Sequence, residues 1–238
     1  MANNNRRIAF ILAGGKGTRL RPYTYTIPKP LLPIGDKPIL ELIINQLKLS
    51  NIEEIIISIG YKSNYIKAFF GDGTNFGVQI RYVEELSPLG TCGPIGLAKQ
   101  FIKEDDHVIL MNGDIYTELD FSKFILHAQK MNYPLMVGYI ERNEVGKFGV
   151  LNIEGGLVRS VIEKPSTEIL ASAGIYAIRG DILNMIPMGT YFTVPDLINL
   201  LIQNNFDVGS YRISDYWMGI EYAEDLSSVV ERVIGINK

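Results

Sequence analysis

The sequence predicts an α/β fold built on one mixed, mostly parallel sheet with helices on both faces. Two observations carry this reading. Short apolar runs rich in β-branched residues alternate with amphipathic stretches as far as residue 140, the order expected of parallel strands joined by crossover helices. A glycine-rich segment directly follows the first of those runs, where an open α/β sheet forms its ligand crevice. The chain of 238 residues, 47% hydrophobic and 21% charged, is long enough to bury a substantial core.

Ile8 to Ala13 is a continuous apolar run stopped by Gly14-Gly15, the pattern of a strand buried on both faces. A loop rich in Gly and Pro extends to about Pro38. Ile39 to Leu49 then places Ile39, Leu42, Ile43 and Leu47 on one side of a helix. Glu54 to Ile59 is a second strand, Tyr65 to Phe70 a short helix and Val78 to Val83 a third strand. After the loop Glu84 to Thr91, Gly93 to Ile102 reads as a helix. His107 to Met111 is a strand ending in Asn112-Gly113-Asp114, Asp120 to Gln129 a helix, and Leu135 to Ile140 a strand.

The pattern changes near residue 145. Gly149 to Ile153 and Leu157 to Ile162 flank Glu154-Gly155-Gly156 as a hairpin. Ala173 to Ile178 is a strand, and Val194 to Gln203 a helix with Pro195 in its first turn. Asp207 to Ile213 is a last strand, and the helix Ala223 to Ile234 ends near Gly235. No linker or repeat divides the chain, which predicts a single domain over 1–238 with halves of about 1–145 and 146–238.

The formal net charge of -3 gives no general attraction to nucleic acid or an anionic membrane, so neither is expected as a partner and any anion site must be local. One cysteine, Cys92, excludes an internal disulfide and fits a reducing compartment. The polar opening Met1 to Arg7 does not read as a signal peptide, and no apolar stretch reaches the roughly 18 residues that span a bilayer. These features predict a cytoplasmic protein.

In Leu12-Ala13-Gly14-Gly15-Lys16-Gly17-Thr18-Arg19-Leu20, three glycines remove Cβ atoms and let backbone N–H groups approach an anion. Lys16 and Arg19 add positive charge, and arginine can grip phosphate with two prongs. The spacing matches neither G-x-x-x-x-G-K-[ST] nor G-x-G-x-x-G. In Pro28-Lys29-Pro30, flanking prolines restrict the backbone and fix the lysine, which suits a phosphate contact.

Joined to Arg21-Pro22, Leu31-Leu32-Pro33 and Asp36-Lys37-Pro38, this opening resembles that of the sugar-phosphate nucleotidyltransferases, which include the mannose-, heptose- and glucose-1-phosphate nucleotidylyltransferases. The resemblance implies a Rossmann-like nucleotide-diphospho-sugar transferase fold, with the first half for nucleotide and the second for sugar phosphate. It gives catalytic roles to Arg19, Lys29 and Asp114, and nucleotide contacts to Leu12, Ala13, Gly14, Gly15, Lys16, Gly17 and Thr18. Leu89-Gly90-Thr91-Cys92-Gly93 resembles the family's base-contacting L-G-T-A-G, which adds Gly90 and Thr91. Just upstream, Glu84 or Glu85 can accept two hydrogen bonds from the N1–H and N2–H₂ edge of guanine, whereas uracil and thymine offer one such donor. This favours GTP; the other reading is a solvated acidic pair.

Asn112-Gly113-Asp114 resembles the family's N-G-D, whose aspartate binds Mg²⁺, a cation that takes hard oxygen ligands. Phe148-Gly149-Val150 and Glu163-Lys164-Pro165 resemble Y-G-V and E-K-P, which implies that Gly149, Glu163 and Lys164, together with Asn112, hold the sugar phosphate. Ser172 stands where the family has, before A-G-I-Y, the asparagine that contacts the sugar, which makes it a further candidate sugar-phosphate contact whose shorter hydroxyl could alter sugar preference. The family's W-x-D-I-G, with its second metal aspartate, corresponds to Trp217-Met218-Gly219-Ile220-Glu221. Gly219 has no side-chain oxygen. Glu221, on the same side two residues on in an extended segment, is the candidate second ligand. Alternatively Asp114, substrate phosphates and water complete the metal, or the site is weakened.

The implied reaction converts an NTP and a sugar 1-phosphate into an NDP-sugar and pyrophosphate, with Mg²⁺ as cofactor. The first reading is a mannose- or heptose-type guanylyltransferase making a polysaccharide or glycan precursor. A glucose-1-phosphate thymidylyl-, uridylyl- or cytidylyltransferase, or a catalytically weakened sugar-nucleotide-binding regulator, remains open. The chain ends before the appended domains of some relatives, so a monomer or homodimer is expected. His107 and His127 read as neither ligands nor bases, and Cys92 as a small packing residue.

Overall fold

The computed structural model describes residues 6–235. Met1 to Asn5, part of the opening read above as no signal peptide, lie outside them. The first half contains β1 (Arg7–Ala13), the two-residue strands β2 (Pro33–Ile34) and β3 (Lys37–Pro38), α1 (Ile39–Leu49), β4 (Glu54–Ile59), α2 (Ser63–Phe70), β5 (Gln79–Glu84), α3 (Gly93–Gly96), β6 (His107–Asn112), β7 (Ile115–Thr117), α4 (Phe121–Met131) and β8 (Leu135–Val145). The second contains β9 (Val150–Glu154), β10 (Leu157–Ile162), β11 (Ser166–Arg179), α5 (Val194–Gln203), β12 (Val208–Arg212), β13 (Trp217–Gly219) and α6 (Ala223–Ile234).

Seven strands form one sheet in the order β12-β8-β11-β6-β1-β4-β5. Strand β1 lies inside it, between β4 and β6 and parallel to both. β11 runs antiparallel to both β6 and β8, which gives the mixed, mostly parallel sheet the sequence predicts. Alternation along β1 sorts its side chains between two cores. Ala9, Ile11 and Ala13 join residues of α1, α2, α4 and α6 on one face. Ile8 and Phe10 join Ile95 of α3 and Val194, Leu197 and Leu201 of α5 on the other. Such a strand has no solvated face, hence its unbroken apolar run. Helix α5 is held by a capping box between Thr193 and Asp196.

Two expectations are corrected, and one pairing is added that the sequence did not predict. Gly93 to Ile102 is not one helix: α3 stops at Gly96, and a separate 3-10 turn covers Lys99–Phe101. Two glycines and a proline in four residues weaken helix formation, and Gly93 and Gly96 serve instead to let the chain approach the backbone of residues 187–192. Strands β8 and β11 run beyond the predicted Ile140 and Ala173 boundaries, pairing from Glu141 to Val145 against Ser166 to Leu170. Those extensions are largely exposed, so no apolar run marks them. Finally, β7 and β13 pair antiparallel, a contact of three residues each that is too short for sequence periodicity to register. Among the described residues no helix is long and apolar enough to cross a membrane.

Candidate active site

The carboxyl ends of β1, β4 and β6 stand level, with Leu12 opposite both Ser58 and Asn112. The turns after these strands therefore leave the sheet at one edge, and a cleft of about 970 Å³ opens between them. Leu12, Gly14, Gly15 and Lys16 line it, while Ala13 points into the core. A Cβ on Gly14 would stand 2.6 Å from Glu85 Oε1, whereas one on Gly15 would meet nothing within 4 Å. The first glycine is thus a packing requirement and the second leaves the backbone open to the cleft. Gly17 takes a left-handed φ of 60°, and its carbonyl accepts a 2.8 Å bond from the Thr24 hydroxyl. The 3-10 turn Thr18–Leu20 then buries Leu20 and leaves Thr18 and Arg19 exposed.

A second hollow of about 260 Å³ adjoins the first, and Asn112 and Asp114 line both. The β7–β13 ladder builds it: Gly219 lies opposite Ile115, and the Ile220 N–H donates to the Asp114 carbonyl at 2.8 Å. This brings Asp114, Gly219 and Glu221 together in the wall of the hollow, which Ser172 and Tyr176 also line. Each carboxylate holds a cation from the first half. Lys29 Nζ donates to Asp114 Oδ2, and Arg19 Nη1 donates to Glu221 Oε2, both at 2.5 Å. The Lys29 side chain is only 13% exposed, held by this ion pair with its Cβ close to Gly17. The Arg19 guanidinium also lies over the Tyr222 ring, 5.9 Å from its centroid.

Among the described residues no group of three or more His, Cys, Asp or Glu could hold a metal ion. Two carboxylates on one wall, Asp114 and Glu221, fit Mg²⁺, which is commonly held by one or two carboxylates with water and substrate phosphate completing its shell. They do not form an all-protein cage.

The two adjacent glutamates separate. Glu85 lines the large cleft and accepts from the buried Ser58 hydroxyl at 2.5 Å and from the Leu89 N–H at 3.2 Å. Glu84 pairs instead with Lys67 of α2 and does not line the cleft. Gly90 and Thr91 line it, on a loop fastened to the second half. The Cys92 and Gly93 N–H groups both donate to the Phe192 carbonyl, and the Thr91 hydroxyl accepts from the Val194 N–H at 3.0 Å. Burial pushes the Cys92 thiol up to about 12.

In the small hollow Ser172 Oγ and the Tyr176 hydroxyl are 2.8 Å apart, and burial pushes the Tyr176 phenol up. The Trp217 indole N–H donates to the Ala173 carbonyl at 2.9 Å. Gly149, Glu163 and Lys164 stand elsewhere. They flank the β9–β10 hairpin, are exposed, and line neither hollow. Sequence reasoning did not single out Gly60, Tyr61 and Tyr191 in the large cleft or Tyr176 and Trp217 as lining residues of the small one. Gly60-Tyr61 carried a usable signal, since it follows a predicted strand at the same edge as the glycine-rich loop.

Residues 8–231 match the nucleotidyl transferase family. The D-glycero-alpha-D-manno-heptose 1-phosphate guanylyltransferase of Campylobacter jejuni is 36% identical over 222 residues, covering 91% of this chain and 96% of that one. The mannose-1-phosphate guanylyltransferase of Mycobacterium tuberculosis is 31% identical over 91% of this chain, which spans 62% of its length. The crystal structure of HddC from Yersinia pseudotuberculosis superposes with a TM-score of 0.75 at 29% identity, covering 95% of this chain and 99% of that one, and HddC has also been solved in complex with GMP-PN. With the family match over nearly its whole length and two joined hollows at the carboxyl edge of its sheet, the chain belongs to the nucleotidyl transferase family, as a sugar-1-phosphate nucleotidyltransferase.

Proposed function

We propose that the chain transfers GMP from GTP to a heptose- or mannose-type sugar 1-phosphate, releasing pyrophosphate. The observation that carries this reading is the junction of the two hollows at Asn112 and Asp114: one has a glycine-rich anion loop, the other the Ser172 and Tyr176 hydroxyls. The relatives named as heptose and mannose 1-phosphate guanylyltransferases support the choice of nucleotide and sugar. Glu85, on the cleft wall, is the group available to a guanine N1–H and N2–H₂ edge. The cytoplasm, where nucleoside triphosphates are made, is the proposed site of action.

A phosphate oxygen of the sugar 1-phosphate attacks the α-phosphorus in line. The new P–O bond forms as the bond to the β-phosphate oxygen breaks, and the electron pair leaves with pyrophosphate. The nucleophile is already ionised, so the protein's task is alignment and charge neutralisation. Arg19 and the N–H groups of Gly14 to Thr18 hold the β- and γ-phosphates, and Lys29 lies against the α-phosphate. Ser172 and Tyr176 orient sugar hydroxyls. Mg²⁺ held by Asp114 and Glu221 supplies further positive charge at the phosphates when bound. For Glu163 and Lys164 to hold the sugar phosphate, the β9–β10 hairpin must turn inward toward Ser172.

A panel of four NTPs against mannose, heptose and glucose 1-phosphates, read by Mg²⁺-dependent pyrophosphate release, tests the reading. Release with GTP and a mannose- or heptose-type acceptor is expected. Release only with UTP or dTTP and glucose 1-phosphate, or no release with any pair, would overturn it.

A further inference from the structure

The turn after β4 grips the glycine-rich loop and the segment that follows it at several points. Residues 14–32 belong to no strand and fold only into short 3-10 turns, whose hydrogen bonds are poorer than those of an α-helix. Between Arg21 and Ile27 only Thr24 is buried, so apolar packing does little to fix the stretch that joins Arg19 to Lys29. Gly60, Tyr61 and Lys62 supply the hold instead. A Cβ on Gly60 would stand 3.0 Å from the Gly14 carbonyl oxygen, so the bare backbone lets the turn lie against the loop. The Tyr61 N–H donates to that same carbonyl at 3.2 Å. Its hydroxyl donates to the Thr24 carbonyl at 3.3 Å, and the Thr24 hydroxyl in turn holds the Gly17 carbonyl. Lys62 Nζ donates to the carbonyls of Tyr25 at 2.6 Å and Thr26 at 2.9 Å.

Lys62 occupies the N-cap of α2 with a left-handed φ of 56°, a conformation that residues other than glycine and asparagine rarely adopt. Glycine would fit that backbone with less strain, so a lysine there needs a use for its side chain. The ammonium has one. It meets the two loop carbonyls and lies 5.5 Å from the ring centroids of both Tyr61 and Tyr65. Among the described residues it pairs with no carboxylate, and it belongs to neither apolar core. Its contacts are therefore directed at one object, the backbone of the segment between Arg19 and Lys29. The N–H groups of Leu20, Arg21, Tyr25, Thr26 and Ile27 are hydrogen-bonded within that segment and report on its order.

We propose that Lys62 is a positioning residue for nucleotidyl transfer: through the Tyr25 and Thr26 carbonyls it fixes the segment that carries Arg19 at one end and Lys29 at the other before nucleotide arrives. This rests on the phosphate roles proposed above for Arg19 and Lys29. Lys62→Met keeps the side chain's reach and removes its donors, whereas Lys62→Arg keeps donors for both carbonyls. In the nucleotide-free protein, amides of residues 20–27 should exchange at least about tenfold faster in Lys62→Met than in the parent, and Lys62→Arg should restore most of the protection. With the best substrate pair from the panel above, kcat should fall about tenfold in Lys62→Met and recover in Lys62→Arg, while KM for the sugar 1-phosphate stays within about twofold. The melting temperature should move by no more than about 2 °C, since Lys62 lies outside both cores. Equal exchange in parent and Lys62→Met would refute the clamp, and faster exchange with unchanged kcat would refute its role in positioning. Parental turnover in Arg19→Ala would instead remove the phosphate role on which the proposal rests.

Discussion

Lys29 Nζ stands 2.5 Å from Asp114 Oδ2, so a lysine positioned for phosphate and an aspartate positioned for metal neutralise each other in the free protein. Arg19 and Glu221 repeat the arrangement in the wall of the same hollow. A metal–nucleotide complex can replace both pairs at once, carboxylates turning to the cation and cations to the phosphates. Either component alone would leave charges unpartnered. Mg²⁺ should therefore tighten binding of a non-hydrolysable GTP analogue by about tenfold or more, measured by calorimetry. Glu221→Gln should tighten metal-free binding, because Arg19 is released, and shrink that Mg²⁺ effect. An unchanged Mg²⁺ effect in Glu221→Gln would remove Glu221 from the metal site.

Arg19→Ala and Lys29→Ala should each lower kcat/KM by about 10²–10³, the range for losing one preorganised charge-stabilising group. The two should differ in stability. Arg19 is 60% exposed in its side chain and its pair contributes little to folding, so its variant should melt like the parent. Lys29 is mostly buried against Gly17, and its truncation should also lower the melting temperature by a few degrees. Steady-state kinetics and calorimetry check both.

Most of this site was legible in the sequence because its parts are local. A glycine-rich turn, a lysine between prolines and Asn112-Gly113-Asp114 each need only a few neighbouring residues and a strand end. What the sequence hid was non-local. Nothing in Glu84-Glu85 tells which of the two turns to Ser58 and which to Lys67; alternation along the strand decides that only once its register and end are known. The β7–β13 ladder that carries Glu221 to Asp114 is three residues long and joins segments about a hundred residues apart. The hairpin's turn and strands are legible in the sequence, but its alternation does not show that every residue of both strands stays exposed among the described residues.

Glu85 should set the choice of base. Its two oxygens already accept from Ser58 and Leu89, which fixes the carboxylate while leaving lone pairs toward the cleft. Glu85→Gln should raise KM for GTP by about ten- to a hundredfold while changing that for UTP far less, because only guanine offers two donors. Ser58→Ala, which loosens the same carboxylate without removing it, should give a smaller shift in the same direction. An equal loss with both nucleotides would make Glu85 a support for Gly14 alone.

Restoring an aspartate at 219 should not simply restore a metal ligand. A Cβ there would stand 3.3 Å from Trp217 Cη2, so the indole must shift by a few tenths of an ångström. Gly219→Asp should cost about 1 kcal/mol of stability. Trp217 is the chain's single tryptophan and lines the small hollow, so its emission reports that shift directly. The same emission should change when a sugar 1-phosphate binds the parent protein.

Acid should destabilise the fold through His107. Its Nδ1 is buried with no hydrogen-bond partner among the described residues, and burial first, then Arg179 and Arg7, hold its pKa below the ordinary value against the opposing pull of Asp106 and Asp105. A lowered folded pKa means the native state favours the neutral ring. The resulting stability is present above the unfolded value of about 6.5 and is lost as pH falls through the folded value. The melting temperature should therefore drop as pH falls below about 6.5, and His107→Leu should flatten that dependence while leaving the ion pair of Arg6 with Asp106 in place. Equal slopes in parent and variant would assign the acid sensitivity to the carboxylates, whose protonation removes their ion pairs.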